Sequence, residues 1–260
     1  MKKKYMFLFL LALIVLSATQ LLTYNLYAKE KVNKDAPGTA IFVMAIPSEV
    51  RVESKMIQSK NEEINIDIKY PKLEGLQDKK FEKIINNYLK NNSIQSKKEL
   101  TKEAKLYNEQ VKETDFPDRC YELIQNFTVK DTINGYFVLE LFEYNYRGGA
   151  HGVTTQKYIV IDLVGNKIVM LKDLFDKDGN YIDEINKVIK KQISEISRQG
   201  NYFFQGTEAF TTVSDQTQFY INPEGNLMIV FNLYEIAPYS SGIYTFNLPK
   251  QDLSSYVLNV

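Results

Sequence analysis

Tryptophan is absent from this 260-residue chain, and histidine and cysteine occur once each, as His151 and Cys120. Each scarcity excludes something. A single cysteine cannot close an intramolecular disulfide, so core packing must supply the stability. Cys120, in the strand-like run "FPDRCYELIQNF", is expected as a small buried hydrophobe. With one histidine and one cysteine, a zinc site would have to be built mostly from carboxylates. Nucleophilic catalysis needs a base beside an activated oxygen or sulfur, and no G-x-S-x-G elbow or fixed spacing ties His151 to Ser240 or Ser241. "RGGAHG" (Arg147 to Gly152) lacks both the G-x-G-x-x-G spacing and the lysine-serine ending of phosphate-binding loops. "DLFDKDGNYIDEI" has the look of a calcium loop, but aligning Gly179 with the obligatory glycine puts Leu174 and Ile185 where oxygen ligands are needed. Carboxylate pairs of the glycosidase kind are common in any chain with 25% charged residues, and none stands out here. The chain is therefore read as non-catalytic, with no cofactor and no metal.

Charge is balanced at 32 basic and 32 acidic residues. Met1-Lys2-Lys3-Lys4 is followed by an uncharged stretch, Tyr5 to Ala28, densest in apolar residues up to Leu22. Its length and leading lysines fit a signal peptide or an N-terminal membrane anchor over residues 1–28, with the remainder outside the membrane. Without the three leading lysines, 29 basic residues face 32 acidic ones, so the exported part is slightly acidic. That balance argues against nucleic acid, which requires a concentrated basic face.

Residues 29–54 read as a linker containing an unplaced apolar run, Ala40 to Ile46. A first domain is expected over 55–147. Ile64, Ile66, Ile68 and Tyr70 alternate as in a half-buried strand, and Phe81, Ile84, Ile85, Tyr88 and Leu89 recur at helical spacing behind Asp78 as N-cap. The helix is expected to continue toward Val111, with a break near Asn91-Asn92. A hairpin turning at Asn134-Gly135 follows, with Tyr136, Phe142, Tyr144 and Tyr146 on one strand face. A second domain is expected over 148–260. It has a hairpin at Gly165-Asn166, a helix bearing Ile182, Ile185, Ile189, Ile193 and Ile196 behind Asn180, a third hairpin at Pro223 and Gly225, and a last strand. The fold class is α+β: two tandem subdomains, each made of antiparallel strands with a long helix packed across them.

The strings "GGAHG" and "YEIAPYSSG", in that order and separated by a helix, carry a resemblance over about Lys55 to Val260. The chain resembles the tandem extracytoplasmic domains of the RsiV family of lysozyme-sensing anti-sigma factors, a pair also found N-terminal to the catalytic domain of the PdaC peptidoglycan deacetylases. With only Met1 to Lys4 ahead of the apolar run and one histidine in the chain, the resemblance implies envelope binding or sensing in place of sigma-factor inhibition or deacetylation. The implied partners are a lysozyme-like protein or peptidoglycan. The alternative is a cell-wall-modifying enzyme or an accessory module of a deacetylase. Two loops are the candidate contacts, with Tyr146, Arg147 and His151 on one and Tyr234, Pro238 and Tyr239 on the other. The competing reading of both loops is structural: glycines at 148, 149 and 152 turn the chain, and His151 locks the corner through its ring nitrogens.

Overall fold

The computed structural model describes residues 50–257, except 115–118, 134 and 178. The readings placed on residues 1–49 and on Asn134 lie outside the described residues. Among the described residues, no helix is long and apolar enough to cross a membrane.

Six strands form the larger sheet in sequence order: β1 (Arg51–Lys60), β2 (Ile64–Glu74), β3 (Tyr121–Ile133), β4 (Tyr136–Tyr146), β5 (Val153–Asp162) and β6 (Lys167–Ile168). Between β2 and β3 runs α1 (Lys79–Val111), started by Asp78, whose carboxylate accepts from the amides of Lys80 and Phe81 at 2.8 and 3.1 Å. The alternating isoleucines of β2 put Ile64, Ile66 and Ile68 on the face that α1 covers, where they pack with Leu100, Ala104, Tyr121 and Leu123. Burying such side chains is worth roughly 1.5–3 kcal/mol each, which explains why α1 docks there.

The smaller sheet has three antiparallel strands, β7 (Gln218–Ile221), β8 (Leu227–Phe231) and β9 (Tyr244–Leu248). Ahead of it lies α2 (Tyr181–Arg198), capped by Asn180. Ile185 and Ile189 of α2 enter one core with Ile221, Ile229, Phe246 and Leu248, and Ile182, Ile193 and Ile196 pack at its margin. Val138 of β4 and Val160 of β5 join the same core, so this unit packs against the larger sheet on side chains that alternate with those facing α1. The architecture is α+β, with a sheet and a long helix in each unit.

Three expectations are corrected. The larger sheet is mixed: β2 and β3 are parallel, with Ile64 opposite Tyr121, because α1 forms the crossover that a parallel pair requires. No break occurs at Asn91-Asn92; α1 is continuous for 33 residues, held across that point by buried Leu89, Ser93 and Leu100. Cys120 is exposed, one residue before β3 begins. In addition, β1 starts inside the segment read as linker, and β4 pairs with β5 across the 147–148 boundary drawn from sequence.

Candidate functional site

The loop Arg147–Gly152 closes the β4–β5 hairpin, and its glycines have separate jobs. Gly148 has φ +69°, and a Cβ there would fall 2.3–2.8 Å from the Arg119 side chain. Arg119 in turn lies over the Tyr107 ring, 4.5 Å from its centroid, so this end of the loop is seated on the C-terminal part of α1. Gly152 lies against Tyr144, where a Cβ would sit 2.3 Å from the ring. A Cβ on Gly149 would meet nothing. The Tyr146 hydroxyl donates to the Gly149 carbonyl at 2.9 Å, folding the loop back on its strand.

The second loop leaves β8 at Asn232 and returns at β9. Tyr234 takes a left-handed φ of 68°, a costly conformation for a tyrosine, and its side chain is 50% exposed. Beyond it, Ile236 and Ala237 are buried and pin the loop to the core. Pro238 caps the single turn Tyr239–Ser241, which presents Tyr239 outward at 36% exposure.

These two loops meet. The His151 ring stacks on Tyr239 at 4.0 Å between centroids and 28° between planes, and Tyr234 lies 5.7 Å from Tyr239. His151 therefore does not lock its corner by pairing backbone through both nitrogens; Nδ1 meets the Gly152 carbonyl at 3.0 Å and the ring face is spent on Tyr239. Arg147 points elsewhere: its Nε donates to Glu103 of α1 at 2.9 Å and its Nη1 to Asn145. Of the six candidate residues, His151, Tyr234 and Tyr239 form one aromatic row, and Pro238 begins the turn that carries Tyr239. Tyr146 folds back on the His151 loop through Gly149, and Arg147 turns away to α1.

Three contributors escaped the sequence reading. Tyr202, 60% exposed, is tied to the second loop through its carbonyl, which accepts from the Ser241 hydroxyl at 3.4 Å, while Phe204 N donates to Ile236 O at 2.9 Å. Asn232 joins the loop to the larger sheet: its Oδ1 accepts from Gln156 N at 2.7 Å and its Nδ2 donates to Gln156 O at 3.1 Å. Gln218 of β7 accepts from Tyr158 N at 3.0 Å. Because β6 pairs with β5 only at Ile161 and Asp162, these amides satisfy edge groups that would otherwise lack partners. Nearby, the Tyr158 hydroxyl donates to Glu140 at 2.9 Å, and its ring stacks on Tyr220 at 4.7 Å. Burial, reinforced by that carboxylate, pushes the Tyr158 pKa well above the ordinary phenol value, so it serves as a fixed donor. Among the described residues, no group of three histidine, cysteine or carboxylate side chains is placed to hold a metal ion.

Two family models match successive parts of the chain. Residues 57–154 match the family described as Deacetylase PdaC, and residues 172–251 match a family described as a protein of unknown function, DUF3298. The chain is 29% identical over 209 residues to the anti-sigma-V factor RsiV of Bacillus subtilis strain 168, covering 78% of this chain and 68% of that protein. A DUF3298-family crystal structure from Bacteroides fragilis NCTC 9343 aligns with TM-score 0.61 at 16% identity, over 80% of this chain and 93% of the other. Another from Pseudomonas aeruginosa PAO1 gives 0.52 at 17%, over 80% and 94%. At these identities the two structures speak for the fold alone. The resemblance to RsiV-type and PdaC-type domains spans most of the chain.

Proposed function

We propose that this chain is a non-catalytic extracytoplasmic binding or sensing module of the bacterial cell envelope, and that its partner is a protein of the lysozyme kind. The observation that carries this is the His151–Tyr239 stack, which joins two loops from different sheets into a row continued by exposed Tyr234. Tyrosines held on rigid loops bury large area with little loss of side-chain freedom, and such residues dominate binding energy at protein interfaces. The stack brings His151 close to the Tyr239–Ser241 turn, but its ring bonds the Gly152 carbonyl and the Ser241 hydroxyl bonds Tyr202 O. Among the described residues no hydroxyl is thus paired with the imidazole as a nucleophile requires, which fits recognition better than turnover. Likeness to an anti-sigma factor supports a sensing role, and the leading lysines with the uncharged stretch to Ala28 support placement outside the membrane, as an anchored or secreted protein in two tandem modules. The mildly acidic exported part suits a basic partner.

Retention on immobilised lysozyme tests this reading. The protein should be held at low salt and released by substitution of Tyr234 and Tyr239; absence of retention sinks the protein-partner version. The PdaC match favours one second reading, a cell-wall-modifying enzyme or a deacetylase accessory module. It requires a chemical change in labelled peptidoglycan incubated with the purified protein.

A further inference from the structure

The overall charge balance conceals a strong asymmetry. Helix α1 contains eight lysines, four glutamates and neither arginine nor aspartate. Taking those eight and the three leading lysines from the 32 basic residues leaves 21, against 28 of the 32 acidic residues outside α1. Basic charge is thus gathered on one helix of an otherwise acidic molecule, a local basic face that the overall balance of the exported part conceals.

The charge is also directed. Lys83, Lys90, Lys98, Lys102 and Lys105 are all exposed, and with exposed Asn87 and Ile94 they recur at the helical period along the outer side of α1. Three of the four glutamates of α1 have other partners: Glu103 accepts from Arg147, Glu82 from Leu76 N and Lys79, and Glu99 from Gln95. The fourth, Glu109, is exposed past the end of the ridge. Lys83, Lys90, Lys98 and Lys102 make no ion pair among the described residues, and Lys105 has only Glu109 at 3.8 Å. From Lys83 to Lys105 the ridge extends about 33 Å, at 1.5 Å per residue.

We infer that this ridge docks a linear polyanion carrying regularly spaced phosphate charges. Lysines are mobile point charges without the planar fork that arginine uses for bidentate recognition, so they suit a repeating charge better than one shaped anion. A bilayer is the poorer fit, because membrane-surface helices bury an apolar face in the interface and that face of α1 is already packed on the sheet. Assigning the polymer to the envelope rests on the extracytoplasmic reading; the binding itself does not.

The test uses the full chain and long-chain inorganic polyphosphate, with neutral and anionic lipid vesicles as separate arms. Wild-type binding should weaken steeply with salt. The variant K83Q/K90Q/K98Q/K102Q/K105Q should bind about 10-fold or more weakly and show a flatter salt dependence, since each neutralised contact removes released counterions. Glutamine keeps helix propensity near that of lysine, and an unchanged thermal melt verifies the fold. Four exposed lysines elsewhere, in K172Q/K177Q/K187Q/K191Q, should be removable with little effect. The inference is overturned if wild type fails to bind, if both variants lose affinity equally, if the α1 variant binds like wild type, or if only anionic vesicles are bound. Y234A/Y239A should retain polyphosphate binding, which separates this result from the lysozyme test.

Discussion

At the scale of single residues, the three glycines around His151 show how much a motif conceals. "RGGAHG" marked a corner, and the corner is there. Which glycine matters depends on Arg119, which lies just ahead of β3 and far from the loop in sequence, and on Tyr144 of β4, whose ring folds over Gly152. Gly148 combines a left-handed φ with a filled Cβ position, whereas Gly149 has neither. Gly148→Ala should therefore destabilise the protein by about 1–3 kcal/mol, the range for strained backbone, and Gly149→Ala by close to zero. Paired thermal melts check this; equal effects would mean that the Arg119 seat does not hold the loop. His151 was legible only as an oddity. Its stacking partner lies in a loop of the other sheet, and that distance in sequence is why its role could not be read directly.

At the scale of elements, periodicity was the reliable guide. The period-2 isoleucines of β2, the isoleucine face of α2 and the Asp78 cap all stand where their patterns place them. The expected break in α1 failed because asparagine disfavours helix by only about 0.7 kcal/mol, less than the burial of Leu89 and Leu100 on the sheet supplies. The exposure of Cys120 follows from its place just before β3, where the strand's alternation has not begun. Asparagine amides then do work that composition hides. Asn86 pairs both backbone groups of Leu73, Asn108 those of Arg119, and Asn232 those of Gln156. Each acts as one residue of a missing strand; the first two tie α1 to the segments just before and after it, and Asn232 joins elements 76 residues apart. Asn232→Ala strips the β5 edge of two partners and should cost about 1–3 kcal/mol, the penalty for unpaired polar groups. Denaturant unfolding checks it, and Asn232→Ala should also loosen lysozyme retention, because the second loop starts at that clamp.

At the scale of the whole molecule, the mixed sheet could not be inferred from strand patterns, since parallel and antiparallel partners share the same alternation. Only the helical crossover between β2 and β3 demands it. The C-terminal segment closes the fold on α2: Glu184 accepts from Ser254 Oγ at 2.8 Å and Ser255 N at 3.1 Å, and Asp176 N donates to Ser255 O at 2.8 Å. Burial raises the Glu184 pKa, but the hydrogen bonds from Ser255 and Ser254 outweigh it and leave the carboxyl below its ordinary value. A lowered folded-state pKa stabilises above the unfolded value of about 4.3, and that stability is lost as pH falls through the folded value. Glu184→Gln should accordingly be less stable than wild type at neutral pH, with the gap narrowing in acid. Stability measured from pH 7 downward checks the sign, and a gap that widens in acid would refute it.

The aromatic row joining the two sheets is the central claim, and titration calorimetry with lysozyme tests it most directly. Wild type should bind, while Y234A/Y239A, with an unchanged thermal melt, should bind at least about 30-fold more weakly, as expected when anchors worth about 2 kcal/mol are removed. Equal affinity of the two proteins, or no binding by wild type, would contradict the account.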